Sequence, residues 1–345
     1  MTEPRSEITI DLAAVRANVR RLREAAGAAE LWAVVKANGY GHGAADVARA
    51  ALEAGARALC VATVGEAAVV RAVAPDVRVL VLGPLRPGEH EQARALRLEL
   101  AISSLPAPAG LPVHLKVDTG MGRWGMAPAD ALAAPREAVV GLMSHLATAD
   151  EADEAFARAQ LARFAEVAAA FPGVVRHVAN SAATLRFPEA RHDAVRCGIA
   201  LYGLDPMGED ARPHGLQPAL SWRSAVAHVR ELEPGSSTGY GRRFVAAAPT
   251  RVGIVPVGYA DGFRRGLTGA EVLVAGERRP VLGTVSMDAF AVELPPGAGV
   301  GAPVTLIGDG VLCEEHARRL GTIPYELVCG IESGPARATR VVVGG

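Results

Sequence analysis

The 345-residue sequence predicts an α/β protein, an N-terminal (β/α)8 TIM-type barrel followed by a C-terminal, mainly antiparallel β domain. Three observations carry that expectation. Short β-rich runs alternate with Ala/Arg/Glu-rich helical stretches over roughly the first 200 residues, the pattern of βα units around a parallel sheet. Eight such runs follow one another, and eight regular units suit a closed barrel better than an open sheet. Beyond the linker-like DPMGEDARPHGLQP (205–218) the texture changes to short alternating runs divided by Gly and Pro, the mark of antiparallel strands.

In chain order the barrel strands are expected at LWAVVKA (31–37), ARALCVA (56–62), VRVLVL (77–82) and LELAIS (98–103). VHLKVD (113–118), AVVGLMSH (138–145), VVRHVAN (174–180) and DAVRCGI (193–199) complete the set. ADVARAALEAG and EAFARAQLARFAEVAAAF space Ala and Leu as helices do. Between the fourth and fifth strands there is only SLPAPAGLP, too short and Pro-rich for a helix, so one outer helix should be missing. The β domain draws its strands from LSWRSAVAHVREL, RVGIVPVGYA, EVLVAGERRPVLGTVSM and APVTLIGDG. The expected boundary puts residues 1–215 in the barrel and 216–345 in the β domain.

Composition narrows the function. Half of the residues are apolar but only 4% aromatic, so a large core must be built mainly from Ala, Val and Leu. With 36 basic and 37 acidic residues, nothing in the charge favours nucleic acid or an anionic membrane as partner. No run approaches the ~18 apolar residues of a spanning helix. The opening MTEPRSEITI lacks the basic-then-apolar pattern of a signal peptide. Cys60, Cys197, Cys313 and Cys329 are scattered without a CxxC pair, which points to reduced thiols in a cytoplasmic protein and to no metal site.

The first residue that suggests chemistry is Lys36, at the C-terminal end of the first barrel strand, where barrel active sites gather. Val34, Val35 and Ala37 around it should desolvate the amine and lower its pKa, as a Schiff-base lysine requires. The run Gly39–Tyr40–Gly41–His42–Gly43 lets backbone and a tyrosine crowd it. Lys116 and Arg123 pose a charge problem, since two cations projecting into one site repel. Asp118 is one available partner for Arg123, and Asp193 for Arg196.

The stretch Lys36–Gly43 resembles the cofactor-lysine motif of alanine racemases, fold-type III pyridoxal-phosphate enzymes. LKVDTGMGRWG (115–125), SHLATADE (144–151), HVANSAATLR (177–186) and VRCGIALYGLDP (195–206) also match, in family order. So do TGYGRRF (238–244), VGYADGF (257–263), TVSMDAF (284–290) and IPYELVCGI (323–331), so the resemblance covers nearly the whole chain. It departs at the shortened SLPAPAGLP and after Gly330, where IESGPARATRVVVGG matches the family ending only loosely.

The resemblance implies interconversion of L- and D-alanine on pyridoxal 5′-phosphate, with D-alanine serving as a cell-wall precursor. Racemisation needs acid–bases on both faces of Cα. By resemblance these are Lys36, which also holds the cofactor, and Tyr240, contributed by the second subunit of a homodimer. A phenol of unperturbed pKa near ~10 needs cationic help, implied to come through His145 and Arg196. Arg196 is implied to face the pyridine nitrogen; because it keeps its proton, it leaves that nitrogen largely unprotonated. Asn180, Ser181, Gly198 and Ile199, with the phenols of Tyr40 and Tyr325, are implied to hold the cofactor. Arg123 and the amide of Met287 are implied to take the substrate carboxylate, and Tyr259 and Tyr325 to narrow the entrance. Carbamylation of Lys116 to N6-carboxylysine is the family's solution to the charge problem. The competing readings are a broad-specificity or serine racemase on the same scaffold, and a pyridoxal-phosphate-binding protein with weak or no racemase activity. Arg196, where decarboxylases of this fold place a carboxylate, argues against that class.

Overall fold

The computed structural model describes residues 5–345, so the first four residues of the segment read for a leader lie outside the described residues. The chain forms two compact units. One comprises Ala14–Met207 with His214–Gln217; the other comprises residues 5–13, Gly208–Pro213 and Pro218–Gly345. The expected boundary between 215 and 216 falls within the segment His214–Gln217 of the first unit. The strand β1 (Ser6–Asp11) belongs with the C-terminal unit, and the segment 208–217 is divided between the two.

The first unit is the barrel. Its strands are β2 (Glu30–Val34), β3 (Ala58–Val61), β4 (Arg78–Val81), β5 (Glu99–Ile102), β6 (Val113–Lys116), β7 (Val139–Met143), β8 (Val175–His177) and β9 (Ala194–Cys197). Seven lie inside the expected runs, and β2 starts one residue ahead of its run, at Glu30. All pair in parallel, in the order β8-β7-β6-β5-β4-β3-β2-β9. The two ends of that order are joined by Asp193 N–H to Arg176 O (3.1 Å) and Arg196 N–H to Ala179 O (2.9 Å). Most strand residues are buried on both faces, which is why the runs read as continuous apolar stretches rather than alternating ones. Helices Ala44–Glu53, Val64–Val73 and Ala155–Ala168 cover the outside, and no helix lies between β5 and β6, as the short SLPAPAGLP requires.

The second unit is a nine-stranded sheet built from β1, β10 (Leu220–Ala225), β11 (His228–Leu232), β14 (Thr250–Val255), β15 (Glu271–Val274), β16 (Glu277–Leu282), β17 (Phe290–Glu293), β18 (Pro303–Ile307) and β19 (Thr339–Val343). The short β12 (Ser237–Thr238) and β13 (Phe244–Val245) pair separately. Every pairing in the large sheet is antiparallel except β1 with β19. The atypical C-terminal run therefore has a structural place: Thr339–Val343 lies beside Glu7–Asp11 as an edge strand. Phe263, stacked on Phe290 with centroids 4.6 Å apart and edge-on to Trp222, anchors the core of this unit.

Candidate active site

β2 ends at Val34, two residues before Lys36. Lys36 opens a turn in which Ala37, Asn38, Gly39 and Tyr40 all take positive φ, between 51° and 61°. For the three non-glycine residues that conformation costs roughly 1–2 kcal/mol each, so the surroundings must impose it. Glu66 does so from one side: it closes the capping box of the helix Val64–Val73 and accepts the Ala37 amide at 2.8 Å. Asn38 does so from within, its carbonyl accepting from Gly43 N–H (2.8 Å) and its side chain from Ala44 N–H (3.1 Å). Val34 and Val35 are buried beside the half-buried lysine, whereas Ala37 is exposed and does not help desolvate it.

The barrel mouth is a concentration of cations. Lys116, at the end of β6, is only 6% exposed. Burial first, then the charges of Arg196, Arg123 and Lys36, push its amine down to about 8, while Asp118 pulls the other way. Asp118 is not bonded to Arg123; its carboxylate accepts the amides of Gly120, Met121 and Gly122 at 2.9–3.1 Å. Arg123 is exposed. Asp193 is likewise no partner for Arg196, because it forms a two-point pair with Arg176 (2.8 and 3.0 Å).

Arg196 is buried, and its guanidinium is committed on one edge. Nη1 donates to His177 O and to His177 Nδ1, both at 2.7 Å. Nη2 donates to Ser144 O (2.8 Å), to Val178 O (3.1 Å) and, longer, to His145 Nδ1 (3.3 Å). Burial lowers its pKa only to about 10, so it stays protonated at neutral pH. Nε makes no hydrogen bond to any described residue and remains as a donor for something else. His145 is held well below the ordinary histidine value by burial and then by Arg196, Arg123, Lys116 and Lys36. An arginine can only donate, so Nδ1 of the neutral His145 accepts and its proton sits on Nε2.

A second group of donors gathers where β9 ends. Ser181 Oγ accepts from Gly198 N–H at 2.9 Å and more weakly from Ala200 N–H at 3.4 Å. Asn180 caps the helix Ser181–Arg186, accepting from Ala183 N–H at 2.9 Å, so its side-chain oxygen is already engaged. Gly198 is where only glycine fits: a β-carbon there would stand 2.5 Å from the Tyr40 hydroxyl. The Tyr40 ring is held against Tyr202, centroids 4.9 Å apart. The Tyr40 and Ser181 hydroxyls thus meet at Gly198, with Ile199 next in the chain, a cluster whose chemistry suits a phosphate. This cluster, the unpartnered Arg196 Nε and the surplus of cations all fit pyridoxal 5′-phosphate, an anion with a ring nitrogen that accepts hydrogen bonds.

The β unit presents the remaining candidates. Tyr240 is 72% exposed between Gly239 and Gly241, with its carbonyl accepting from Thr284 Oγ1 at 2.9 Å. Tyr259 and Met287 are brought together by Tyr259 N–H to Ser286 O and Ala260 N–H to Met287 O, both 3.0 Å. Gly258 permits that approach, since a β-carbon there would collide with the carbonyls of Ser286 and Met287. The Met287 amide makes no hydrogen bond to a described residue. Tyr325 is half-buried in the first turn of the short helix Pro324–Cys329.

One cluster escaped the sequence reading. Beneath Arg196 the barrel interior holds His177, His114 and Glu99 in contact, with Trp32 and Arg78 beside them. A signal was available for one member: strands alternate sides every residue, so His114 must share the inward face of Lys116.

The profile described as "Alanine racemase, N-terminal domain" matches residues 10–206, and "Alanine racemase, C-terminal domain" matches 219–341. The alanine racemase of Symbiobacterium thermophilum is 44% identical, over 93% of this chain and 93% of its own. That of Streptomyces coelicolor is 42% identical over 98% and 96%. Among solved structures, the alanine racemase of D-cycloserine-producing Streptomyces lavendulae superposes with a TM-score of 0.93 at 38% identity, covering 100% of this chain and 98% of that one. The Bartonella henselae alanine racemase with covalently bound pyridoxal phosphate gives 0.90 at 30% identity, covering 98% and 99%.

Proposed function

Because the chain belongs to the alanine racemase family, a family of pyridoxal-phosphate-dependent isomerases, we propose that Lys36 and Tyr240 are the two acid–bases that move the Cα proton of alanine between its faces. The reaction is the interconversion of L- and D-alanine. The relatives bear that name, which disfavours both a serine-directed racemase and a non-catalytic binding protein.

Pyridoxal 5′-phosphate, joined to Lys36, would supply the electron sink that acidifies Cα–H. Lys36 Nζ exchanges the proton on one face. Tyr240 serves the other face from the second subunit of a homodimer; its exposure on an isolated chain supports that assignment. His145, with its proton on Nε2, would donate that N–H to the phenolic oxygen. Tyr40, Ser181, Gly198, Ile199 and Tyr325 would hold the phosphate, and Asn180 positions Ser181 by capping its helix. Arg196 would offer its Nε–H to the ring nitrogen without yielding the proton.

Arg123 and the Met287 amide bind the substrate carboxylate, and Tyr259 and Tyr325 limit the side chain to a size near methyl. A lysine amine pushed down to about 8 has a far larger neutral fraction near physiological pH than an ordinary lysine, and it is the neutral amine that reacts with carbon dioxide. Carbamylation of Lys116 would then turn a repelling cation into an anion that orients Arg123. No helix among the described residues is long and apolar enough to cross a membrane. The scattered cysteines support a cytoplasmic location.

The observation that carries this reading is Arg196: its Nη atoms are fixed by five acceptors, and its Nε alone is left for a ligand. Incubating the protein and cofactor with L-alanine in deuterated water should yield D-alanine carrying deuterium at Cα. Its absence rejects the reading, and comparable turnover of L-serine would replace it with the broad-specificity one. Mass analysis should show Lys116 heavier by one carbon dioxide; an unmodified lysine removes the carbamylation alone.

A further inference from the structure

Behind Arg196 runs a line of hydrogen bonds that the proposed chemistry does not use. Arg196 Nη1 meets His177 Nδ1 at 2.7 Å. His177 Nε2 meets His114 Nδ1 at 2.7 Å, and His114 Nε2 meets Glu99 Oε2 at 2.7 Å. Glu99 Oε1 accepts from Arg78 Nε at 2.9 Å. The line crosses the barrel interior from β9 through β8, β6 and β5 to β4. We propose that His177, His114 and Glu99 are positioning residues that hold Arg196 in a single orientation, through a one-way chain in which both imidazoles are locked as their Nε2–H tautomers.

The chemistry of the two ends fixes the direction. A guanidinium has donors and no acceptor, and an ionised carboxylate has acceptors and no donor. Each imidazole between them must therefore accept on Nδ1 and donate from Nε2. Reversing either would set two N–H groups against each other at 2.7 Å. The charged forms are disfavoured as well. Burial, then Arg196, His114 and Arg78, hold His177 well below the ordinary histidine value. Burial lowers His114 despite Glu99, with Arg78 and Arg196 adding to the fall. Burial alone would raise the Glu99 carboxyl, but the hydrogen bonds it accepts from His114 and Arg78 and the charge of Arg78 outweigh that and keep it ionised.

Packing keeps the rings from turning. Trp32 lies against both, with centroids 4.7 Å from His177 and 5.8 Å from His114, and Arg78 sits 5.2 Å from the Trp32 ring. Gly141 on β7 is registered directly opposite His114, and a β-carbon there would occupy the space of the imidazole. The chain thus explains a glycine in the middle of a buried strand, where it otherwise weakens pairing.

The consequence for the cofactor ring rests on the assignment of Arg196 proposed above; the tautomer lock does not. The holoprotein, labelled with 15N-histidine, should show the Nε2–H form for both His114 and His177 at neutral pH. An Nδ1–H or doubly protonated ring at either position overturns the proposal. A pair of variants then tests the positioning. The amide oxygen of His177→Asn can stand where Nδ1 stood and still accept from Arg196; His177→Gln reaches only the Nε2 position. His177→Gln should lower kcat by about tenfold or more with little change in KM, shift the cofactor's absorbance and raise the fraction of turnovers diverted to pyruvate. His177→Asn should recover most of that loss. Equal losses in the two variants with unaltered absorbance reject the positioning role. If neither variant folds, the tautomers of the unaltered protein still decide. Locked tautomers in a protein that does not racemise alanine would sink the functional reading and leave the chain standing; an active enzyme with unlocked tautomers would do the reverse.

Discussion

The two units treat their site residues in opposite ways. In the barrel, Arg196 and Lys116 are buried, and Arg196, Ser181 and Asn180 are tied by hydrogen bonds to neighbouring groups. In the β unit, Tyr240 and Met287 are 72% and 53% exposed, and it is their backbone carbonyls, not their side chains, that are held. A buried polar group without a partner costs roughly 1–3 kcal/mol, which favours site donors that are satisfied inside the barrel or by a ligand. Solvent satisfies the β-unit groups until another surface covers them. The barrel is preorganised; the β unit is prepared for company.

That contrast breaks most sharply at the two acid–bases. Replacing Lys36 by Ala should abolish the bound cofactor's long-wavelength absorbance and lower kcat by at least about 10³-fold. Tyr240→Phe should lower racemisation by about 10²–10³-fold yet leave that absorbance intact. It should also leave one enantiomer able to exchange its Cα proton with solvent, because Lys36 still serves one face. A mixture of Lys36→Ala and Tyr240→Phe chains should regain activity if the sites are shared between subunits. No regain in a mixture shown to exchange subunits would remove the claim that Tyr240 acts across the dimer.

A smaller effect tests the barrel alone. Gly198→Ala places a methyl 2.5 Å from the Tyr40 hydroxyl, so the phenol must leave the cluster. Cofactor affinity should fall by about tenfold, equivalent to about 1.4 kcal/mol, and Tyr40→Phe in the same background should cost little more. Additive losses would mean that Gly198 and Tyr40 do not share one task.

The sequence displayed the barrel because each parallel strand is buried on both faces and so reads as an apolar run with a helix after it. It hid β1. SEITID alternates as a strand buried on one face should, but its partners β10 and β19 lie more than 200 residues away, and local pattern does not encode distant pairing. The lysine turn was half visible. Its glycines announced a tight bend, whereas the left-handed Ala37, Asn38 and Tyr40 depend on Glu66, a residue whose capping-box position says nothing of a second task. The chain His177–His114–Glu99 was hidden for a related reason. Each of three strands contributes one member, and only closure of the barrel turns three isolated residues into a line. The pairing of Arg176 with Asp193, and of Asp118 with its own loop amides, settles two alternatives that residue order left open.

The mildest test of the contrast is acidification. His114, His145, His177 and His192 in the barrel all have depressed pKa values, with burial the leading cause; in the β unit His316 does. Each is neutral in both folded and unfolded states above the ordinary value of 6.5. Below it the unfolded chain takes up protons that the folded unit resists, so stability is full above about 6.5 and is lost as pH falls from there. Every proton so withheld contributes a slope of up to about 1.4 kcal/mol per pH unit. Between that point and the carboxylate range, four such groups should destabilise the barrel more steeply than one destabilises the β sheet. Amide exchange followed by mass spectrometry as the pH is lowered should therefore show the barrel strands losing protection first. Simultaneous loss in both units would mean that they unfold as one, and earlier loss in the β sheet would mean that barrel burial is not what holds these histidines neutral.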